Sequence, residues 1–250
     1  MRISRIFQNS PMKIGDAFAL SDDVANYISN VLRLKKTAPL LLFNGHGGEF
    51  SATIVSIEKR KISVLIEKFH DIERESPLAI HLAQGISRGE KMDLTIQKAV
   101  ELGVQKITPI ITERCGVQLS EERQEKRLEH WKKIIISACE QCGRNRLPIL
   151  TPVMTIDDYM TQESTLVRLM LDHHASTSLG KLDQTIKEIA LLIGSEGGLT
   201  TNERLSAENH RFTPITLGPR ILRTETAGLA IISILQNKLG DMSNLSSRGN

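Results

Sequence analysis

The chain has 250 residues, of which 40% are hydrophobic and 24% charged, and these ordinary values exclude a fibrous or largely disordered protein. Its length allows one large domain or two moderate ones, each with its own core. The formal net charge is +3, and the excess lies in residues 1–74, which hold 11 Lys and Arg against 8 Asp and Glu. A basic module of this kind suits a polyanionic partner, although an ordinary solvated basic face gives the same excess of positive charge.

The first third of the sequence has the pattern of a small β domain interrupted by one helix. Alternating β-branched and aromatic residues in 39–57 and 61–69 predict strands, and Asn44-Gly45 is a strong hairpin dipeptide. Residues 22–36 have helical spacing and end in basic side chains. We define the basic cluster as Arg33, Lys35 and Lys36.

After residue 74 the pattern changes to an alternation of strands and helices, so a domain boundary is predicted there. Short buried strands are predicted at 78–85, 106–112, 165–172, 189–194 and 212–218. Helices are predicted at 91–103, 121–143 and 224–240. The alternation predicts an α/β domain with a mostly parallel sheet over residues 75–242, followed by a polar tail at 243–250.

Several features predict a cytoplasmic protein without a membrane span. The longest apolar run, "AGLAIISIL", is much shorter than the roughly 18 to 20 residues that a spanning helix needs. The first ten residues lack the apolar stretch of a signal peptide. The three cysteines, Cys115, Cys139 and Cys142, are too few for a disulfide framework, which agrees with a reducing compartment.

Cys139 and Cys142 form a CxxC pair, which is typical of zinc or redox sites. No second CxxC or close His pair completes a set of four ligands. Trp131, Ile135 and Ala138 precede them at helical spacing, which places Cys142 near an apolar stripe. Packing is therefore the favoured interpretation of the pair.

The segment "IGSEGGLTTNE" places three glycines between a predicted strand and a predicted helix. Gly194, Gly197 and Gly198 permit positive φ and the close approach of a ligand to the main chain. Thr200 and Glu203 have capping-box spacing, which predicts the start of the helix. A ligand site and a tight turn without a ligand both explain the glycines. No Walker or GxGxxG motif follows the first strand, so a standard Rossmann site is not expected.

The late glycine motifs carry a family resemblance. "LLIGSEGGLTTNE" and the following "LGPRILRTETAGLAIISILQ" closely resemble the signature of the SPOUT methyltransferases. "SRGEKMDLTIQKAVELGV", "ITERCGV" and "ACEQCGRNRLP" resemble the RsmE branch, the uridine N3-methyltransferases of bacterial small-subunit ribosomal RNA. "VLRLKK" and the β module resemble the PUA-like RNA-binding domain of that branch. The family commonly has a proline in the glycine turn and another after the third motif strand, where this chain has Ser195 and "LDHHA".

The resemblance implies a fold, a cofactor and an assembly. The expected C-terminal domain is a trefoil-knotted SPOUT-type α/β domain, preceded by a small PUA-like β-barrel domain. The expected cofactor is S-adenosylmethionine, used without a metal, and the expected partners are ribosomal RNA or the small ribosomal subunit and a second copy of the chain. Main-chain groups of glycine-rich loops can hold adenine. The predicted cofactor-binding residues are Leu171, Gly194, Gly198, Leu217, Gly218, Ile221 and Leu222, with residues 217–223 wrapping the cofactor.

The implied reaction sets requirements for the remaining side chains. Uracil N3 carries a proton at neutral pH, so the enzyme must remove that proton or stabilise the developing anion. An arginine stabilises an imidate oxygen or holds a phosphate, but it does not act as a base. The predicted catalytic residues are Arg223, Glu196 and Arg114, with Arg223 as the first choice. RNA binding is assigned to the basic cluster of Arg33, Lys35 and Lys36, together with Arg88 and Arg144.

Other polar side chains are interpreted differently. Glu225 is predicted in the first turn of a helix, where it complements the helix dipole. His173 and His174 resemble a base or metal pair, but adjacent residues at a strand end face opposite sides, which argues against a shared site. Two alternative functions remain open: an RNA-binding ribosome-assembly factor without catalysis, and a SPOUT methyltransferase that acts on another RNA. The intact glycine motifs favour an active enzyme.

Overall fold

The computed structural model of the protein describes residues 3–58, 61–116, 120–162, 164, 166–180 and 183–243. Residues 244–250 of the predicted polar tail lie outside these ranges. The chain divides into two compact units. The first unit comprises Met1–Glu75 and Cys139–Leu147, and the second comprises Ser76–Ala138 and Pro148–Asn250.

Residues 139–147 depart from the predicted division, which placed them in the C-terminal domain. Two long-range hydrogen bonds explain their grouping with the first unit. The guanidinium of Arg5 donates to the carbonyl of Cys139 at 2.8 Å, and the amide of Asn145 donates to the carbonyl of Ile72 at 2.8 Å. These contacts join residues 134 and 73 positions apart, which no local sequence pattern reveals.

The first unit is built on a five-stranded sheet with one short helix. The strands are β1 (Ser4–Phe7), β2 (Ala17–Ala19), β3 (Pro39–Phe43), β4 (Glu49–Glu58) and β5 (Lys61–His70). They lie in the order β1-β3-β4-β5-β2, with β1 and β3 parallel and the other pairs antiparallel. Helix α1 (Asp22–Tyr27) continues as one π-helical turn, Ile28–Leu32, and ends at Arg33, which is left-handed with φ 53°.

The core of the first unit follows from the period-two pattern of its strands. In β5, Ile62, Val64 and Ile66 share one face and are buried. They belong to the same apolar cluster as Leu40 of β3 and Ile28 of the π-helical turn. Because alternate residues of a strand face the same side, the sequence pattern is sufficient to predict which side is buried.

The second unit contains a seven-stranded sheet. Its strands are β6 (Ala79–Gly85), β7 (Lys106–Ile111), β8 (Ile149–Leu150), β9 (Met154–Thr155), β10 (Val167–Leu171), β11 (Glu188–Ile193) and β12 (Thr213–Ile215). Their order is β12-β10-β11-β6-β7-β8, and β9 also pairs with β7. Within the described residues, each of these pairings is parallel, as the alternation of strands and helices predicted.

The helices that follow are α2 (Glu90–Glu101), α3 (Glu121–Cys142), α4 (Ile156–Met160), α5 (Thr201–Asn209) and α6 (Thr224–Leu239). Side chains from these helices and from the strands form the core of the second unit; an example is the cluster of Tyr159, Met170, Leu192 and Phe212.

Over the ranges that the structure describes, no helix is both long and apolar enough to cross a bilayer. The predicted trefoil knot concerns the threading of the chain, and it stays a prediction.

The CxxC pair lies at the end of α3. Cys139 is buried and Cys142 is half-buried, so Cys139 rather than the predicted Cys142 lies on the buried stripe. Burial raises the pKa of the Cys139 thiol to about 12, although nearby Arg144 acts in the opposite direction. The thiol therefore stays protonated at neutral pH, which fits the packing interpretation.

The strand order reverses beside β6, which lies between β7 and β11. The register pairs Gln84 with Ile193, so β6 and β11 end side by side. A Cβ on Gly85 would collide with the backbone nitrogen of Ser195, so the loops that leave the two strands touch each other. In open α/β sheets, ligands bind beyond the carboxyl ends of strands at such a reversal.

Candidate active site

A pocket of about 480 Å³ opens at the carboxyl ends of three strands of the second unit. Leu171, Ile193 and Ile215, the last residues of β10, β11 and β12, lie in its lining. The glycine turn after β11 and the loop 217–223 supply much of the remaining wall. Small-molecule sites usually have volumes of about 300 to 1,000 Å³, so the pocket is large enough for a nucleoside-sized ligand.

The three glycines of the turn meet different steric requirements. Gly198 has a positive φ of 67°, and a Cβ built on it meets no atom within 4 Å. Gly194 and Gly197 do not have positive φ, so the prediction that glycine permits a positive φ at these positions is wrong for these two. A Cβ on Gly194 would lie 2.9 Å from the carbonyl carbon of Gly198, and one on Gly197 would lie 2.7 Å from the Cβ of Arg114. Two glycines therefore allow close backbone packing, and the third leaves open space at the pocket.

Glu196 anchors the glycine turn to the segment after β6. Its Oε1 accepts a hydrogen bond from the backbone N–H of Arg88 at 3.0 Å and lies 3.6 Å from Nζ of Lys91. Desolvation acts to raise the pKa of Glu196, but the backbone N–H groups of Arg88 and of Glu196 itself, with the Lys91 ammonium, lower it overall. These contacts give Glu196 a positioning role, and its predicted catalytic role stays a prediction.

Ser195 replaces the turn proline that is common in the resembled family, and its hydroxyl makes two hydrogen bonds. Its Oγ donates to the carbonyl of Arg114 at 3.2 Å and accepts from Oγ1 of Thr112 at 3.1 Å. Ser195 and Thr112 are buried, so both hydroxyls need these partners. The turn is thus fixed by tertiary hydrogen bonds in place of a proline ring.

Glu203 connects the start of α5 to the same neighbouring loop. Thr200 and Glu203 form the predicted capping box, with Thr200 Oγ1 accepting from the Glu203 backbone at 3.2 Å and Glu203 Oε2 accepting from the Thr200 backbone at 2.7 Å. The second carboxylate oxygen of Glu203 accepts from the backbone N–H of Glu113 at 2.7 Å. One buried carboxylate therefore satisfies donors from a helix end and from the loop after β7.

The loop that leads into α6 is tied to the glycine turn by a buried hydroxyl. Thr224 Oγ1 donates to the carbonyl of Gly194 at 2.6 Å and accepts from Nε2 of Gln84 at 3.1 Å. Arg223 is the N-cap residue of α6, and its exposed side chain lines the pocket. Glu225 lies in the first turn of α6, as predicted.

The structure brings most of the predicted cofactor and catalytic residues together. Gly218 has a positive φ of 68° but is absent from the lining residues that the structure describes. The other predicted residues all line the pocket: Leu171, Gly194, Gly198, Leu217, Ile221 and Leu222 for the cofactor, and Arg114, Glu196 and Arg223 for catalysis.

The predicted RNA-binding residues are distributed more widely. The basic cluster is exposed in the first unit, and Arg88 is exposed in the second. Arg144 is different, because it is 4% exposed and its guanidinium is paired with the carboxylate of Glu75 through Nε at 2.8 Å and through Nη2. A buried guanidinium held in this way does not reach an RNA phosphate, so the structure does not support the predicted RNA contact of Arg144.

His173 and His174 share one site, contrary to the prediction from strand alternation. They lie in a turn beyond the end of β10, where the period of two no longer applies, and both line the pocket. Their ring centroids are 3.8 Å apart, and together with Asp172 they place three potential ligand atoms within 4.8 Å of one another. The carboxylate of Asp172 already accepts from Nη1 of Arg204 at 3.2 Å, which neutralises its charge.

Sequence reasoning missed several charged residues of the pocket. Asp172 and Arg204 are 32 positions apart, so no local pattern indicates their ion pair. Arg220 also lines the pocket, and its position inside the motif "LGPRILR" could have indicated it. Lys91 lies in the first turn of α2, and no feature of the sequence distinguishes it from the other charged residues of that segment.

Comparisons with known proteins agree with this architecture. A family model described as an RNA methyltransferase domain matches residues 74–236, and one described as an RNA methyltransferase PUA domain matches residues 12–67. Ribosomal RNA small subunit methyltransferase E from Buchnera aphidicola subsp. Schizaphis graminum is 41% identical, with 97% of this chain and 99% of the relative covered. The relative with the same name from Bacillus subtilis is 30% identical, with 87% of this chain and 89% of that relative covered.

Two solved structures resemble the whole chain. A Legionella pneumophila methyltransferase in complex with the cofactor SAM has 40% sequence identity and a TM-score of 0.94, with 97% of this chain and 100% of that chain covered. A ribosomal RNA small subunit methyltransferase E from Neisseria gonorrhoeae, bound to S-adenosylmethionine, has 37% identity and a TM-score of 0.90, with 96% and 100% covered.

The two matched models define the class as an RNA methyltransferase domain preceded by a PUA domain. Identity of up to 41% over almost the full length then gives the family. The chain belongs to the ribosomal RNA small subunit methyltransferase E family. The family and the α/β class predicted from the glycine motifs are confirmed.

Proposed function

We propose that this protein transfers a methyl group from S-adenosylmethionine to N3 of a specific uridine in 16S ribosomal RNA, in the cytoplasm and on the assembled small subunit. The observation that carries the proposal is the pocket at the carboxyl ends of β10, β11 and β12, in a chain whose relatives were solved with S-adenosylmethionine bound. The homodimer and the absence of a required metal belong to the same proposal.

The residues of the pocket fit the proposed cofactor. Open space beside Gly198 receives a ligand that a larger residue would exclude. Leu171, Leu217 and Leu222 supply apolar surface for an adenine ring, and the turn and the loop 217–223 expose main-chain polar groups to the same space. When bound, S-adenosylmethionine supplies an electrophilic methyl group on a sulfonium.

The side chains of the pocket suit the chemistry on the uracil. The lining includes the cations Lys91, Arg114, Arg220 and Arg223, and such groups hold RNA phosphates or stabilise negative charge on a uracil oxygen. Arg223 is the proposed catalytic cation because it lies at the end of the loop that wraps the cofactor. Buried hydrogen bonds of Ser195, Glu203 and Thr224 keep the surrounding loops in place before the substrate binds.

The direct test is incubation of the protein with radiolabelled S-adenosylmethionine and unmodified small subunits, followed by nucleoside analysis. Label in 3-methyluridine supports the proposal. Binding without label indicates the ribosome-assembly factor. Label in a parallel sample of other cellular RNA, with none in the small subunits, indicates a different substrate. Calorimetry with a chelator present should leave cofactor binding unchanged, and loss of binding would contradict the metal-free proposal.

A pair of glycine variants tests the location of the cofactor site. Gly198→Val places a branched side chain in the space proposed for the cofactor and should weaken S-adenosylmethionine binding by about tenfold or more. Gly15→Val is the matched control, because Gly15 also has positive φ, 89°, and open space around its Cβ position, but it lies in the first unit. Equal loss of cofactor affinity in both variants would contradict the assignment.

A further inference from the structure

Glu225 is an acidic residue of the pocket that the contacts described above leave unexplained. It lines the pocket from the first turn of α6, two residues after Arg223. Its Oε2 is buried, and among the described residues it has no hydrogen-bond partner. A buried polar oxygen without a partner costs free energy, so its presence at a ligand pocket calls for a functional explanation.

The other acidic side chains of the pocket already have partners. Asp172 accepts from Arg204 at 3.2 Å. Glu196 accepts from the backbone of Arg88 at 3.0 Å and faces the Lys91 ammonium. Within the described part of the chain, Glu225 forms neither a hydrogen bond nor an ion pair and is therefore the carboxylate that remains open to a ligand donor.

The proposed reaction requires an acceptor for one particular proton. The N3–H group of uracil must lose its proton before or while N3 attacks the methyl carbon. The pocket cations Lys91, Arg114, Arg204, Arg220 and Arg223 carry donors, and the arginines cannot accept a proton. His173 and His174 are the other titratable groups of the lining, but both are exposed and lie at the end of β10.

We propose that Glu225 is the general base that removes the N3 proton of the target uracil, an inference that rests on the proposed function. The N3–H bond breaks and its proton passes to the Glu225 carboxylate. The N3 electron pair forms the new bond to the methyl carbon, and the carbon–sulfur bond breaks with its electron pair left on sulfur. Arg223, two residues away, stabilises the negative charge that develops on the uracil oxygen.

The first test compares pH profiles under single-turnover conditions. Glu225→Gln preserves the shape of the side chain but removes the base, so the rate at neutral pH should fall by about 10²- to 10⁴-fold. The residual rate should rise by about tenfold per pH unit, because only uracil that has ionised in solution can react. Glu225→Asp should retain the wild-type pH profile at a reduced rate. Glu122→Gln, which removes one exposed carboxylate from α3, should match the wild type.

A second measurement does not depend on turnover. Small subunits reconstituted on 16S ribosomal RNA containing 5-fluorouridine carry a target base whose N3 is more acidic. The wild type should bind these subunits more weakly as pH rises and the base becomes anionic, because two negative groups then face each other. The affinity of Glu225→Gln for these subunits should not fall in this way as pH rises. On this substrate, the loss of rate of Glu225→Gln relative to the wild type should also be smaller than on the natural substrate.

The outcomes separate the possible roles. A raised dissociation constant for S-adenosylmethionine with an unchanged pH profile would show that Glu225 holds the cofactor, and would overturn the inference. A normal rate and pH profile in Glu225→Gln would also overturn it. If His173→Gln or His174→Gln shows instead the loss of rate and the altered pH profile that we expect of Glu225→Gln, the base is that histidine. If the wild type itself forms no 3-methyluridine, the proposed function fails, whatever the variant does.

Discussion

Arg223 differs from Arg114 and Arg204 in the contacts of its guanidinium, and it shares this lack of a side-chain partner, among the residues described, with Arg220 of the same loop. Arg114 donates to the carbonyl of Gly197 at 3.2 Å, and Arg204 is paired with Asp172. For Arg223, no hydrogen bond or ion pair of the side chain occurs among the residues described. A guanidinium without a protein partner at a ligand pocket can respond to charge that develops during the reaction.

Arg223→Ala is therefore expected to lower kcat by about 10²- to 10³-fold, the loss typical of removing one donor that stabilises a transition state. The dissociation constant of S-adenosylmethionine should change little. Arg223→Lys should restore only part of the rate, because a point charge replaces a planar fork. Single-turnover rates and separate binding isotherms for cofactor and RNA measure these effects.

Arg220→Ala is the matched control, since it removes the same charge from the same loop. An equal fall of kcat in both variants would assign the effect to the charge of the loop and not to Arg223. Weaker RNA affinity with kcat preserved at saturating RNA would make Arg223 a phosphate clamp. Weaker cofactor binding as the main effect would make it a support of the loop.

His81 couples the stability of the second unit to pH. Burial, with a further contribution from Lys106, lowers the pKa of His81 from 6.5 to about 4. Its Nε2 lies 2.8 Å from Oγ1 of Thr108, and its ring meets Tyr159 edge-on with centroids 5.3 Å apart. The folded protein therefore holds this imidazole neutral at pH values where the unfolded chain binds a proton.

The free energy of unfolding should fall as pH decreases from 6.5 towards 4, by at most about 1.4 kcal/mol per pH unit from this one group. Denaturant titrations at pH 7, 6 and 5 measure the slope. His81→Gln should flatten it, whereas His46→Gln, at an exposed position of the first unit, should not. An unchanged slope in His81→Gln would show that other groups cause the pH dependence.

At the scale of elements, hydrophobic period and turn residues were sufficient for most strands and helices. The capping box at Thr200 and the hairpin at Gly45 are confirmed, since each depends on residues close in sequence. The placement of residues 139–147 and the burial of Arg144 were not predicted, because both depend on partners about 70 or more positions away. The shared site of His173 and His174 was missed because the strand ends earlier than the pattern indicated.

The π-helical turn and its left-handed end place the basic cluster on an exposed segment of the first unit. Leu32 and Leu34 alternate with the basic side chains and pack against the core, so the segment is fixed while its charges stay in solvent. An ordered group of cations is suited to phosphate contacts that do not depend on sequence.

Changing Arg33, Lys35 and Lys36 together to Ala should weaken binding to small subunits and reduce the slope of log affinity against log salt, as lost phosphate contacts do. Binding of S-adenosylmethionine should not change. Lys126→Ala, at a 72%-exposed lysine of α3, is the control for loss of surface charge. A triple variant with an unaltered salt slope would exclude the cluster from RNA binding.

The apolar surface of α6 is the feature of the molecule that bears on its assembly into a homodimer. Two apolar residues of this helix, Ile232 and Leu235, are buried within the chain. Leu229 is half-buried, and Ile234 is 36% exposed. The core therefore accounts for part of the apolar surface of the helix, and the remainder is available to a second copy.

Sedimentation at micromolar concentration is expected to give twice the chain mass of 27.9 kDa. Ile234→Glu should shift the protein towards the monomer, because a charge at a buried interface is costly. Ile57→Glu, at a 40%-exposed isoleucine of β4, is the control and should leave the mass unchanged. A monomeric wild type would contradict the proposed homodimer.

The serine in the glycine turn also has a consequence for the order of events in folding. A proline restricts φ in the unfolded chain, so it arranges a turn before the rest of the protein forms. Ser195 instead acts through Arg114 and Thr112, which lie 81 and 83 positions earlier, so the intervening chain must close first. We expect the cofactor pocket to form late, after the segment that contains Thr112 has docked. A fragment that begins after residue 116 would therefore carry the complete glycine motif without its native shape.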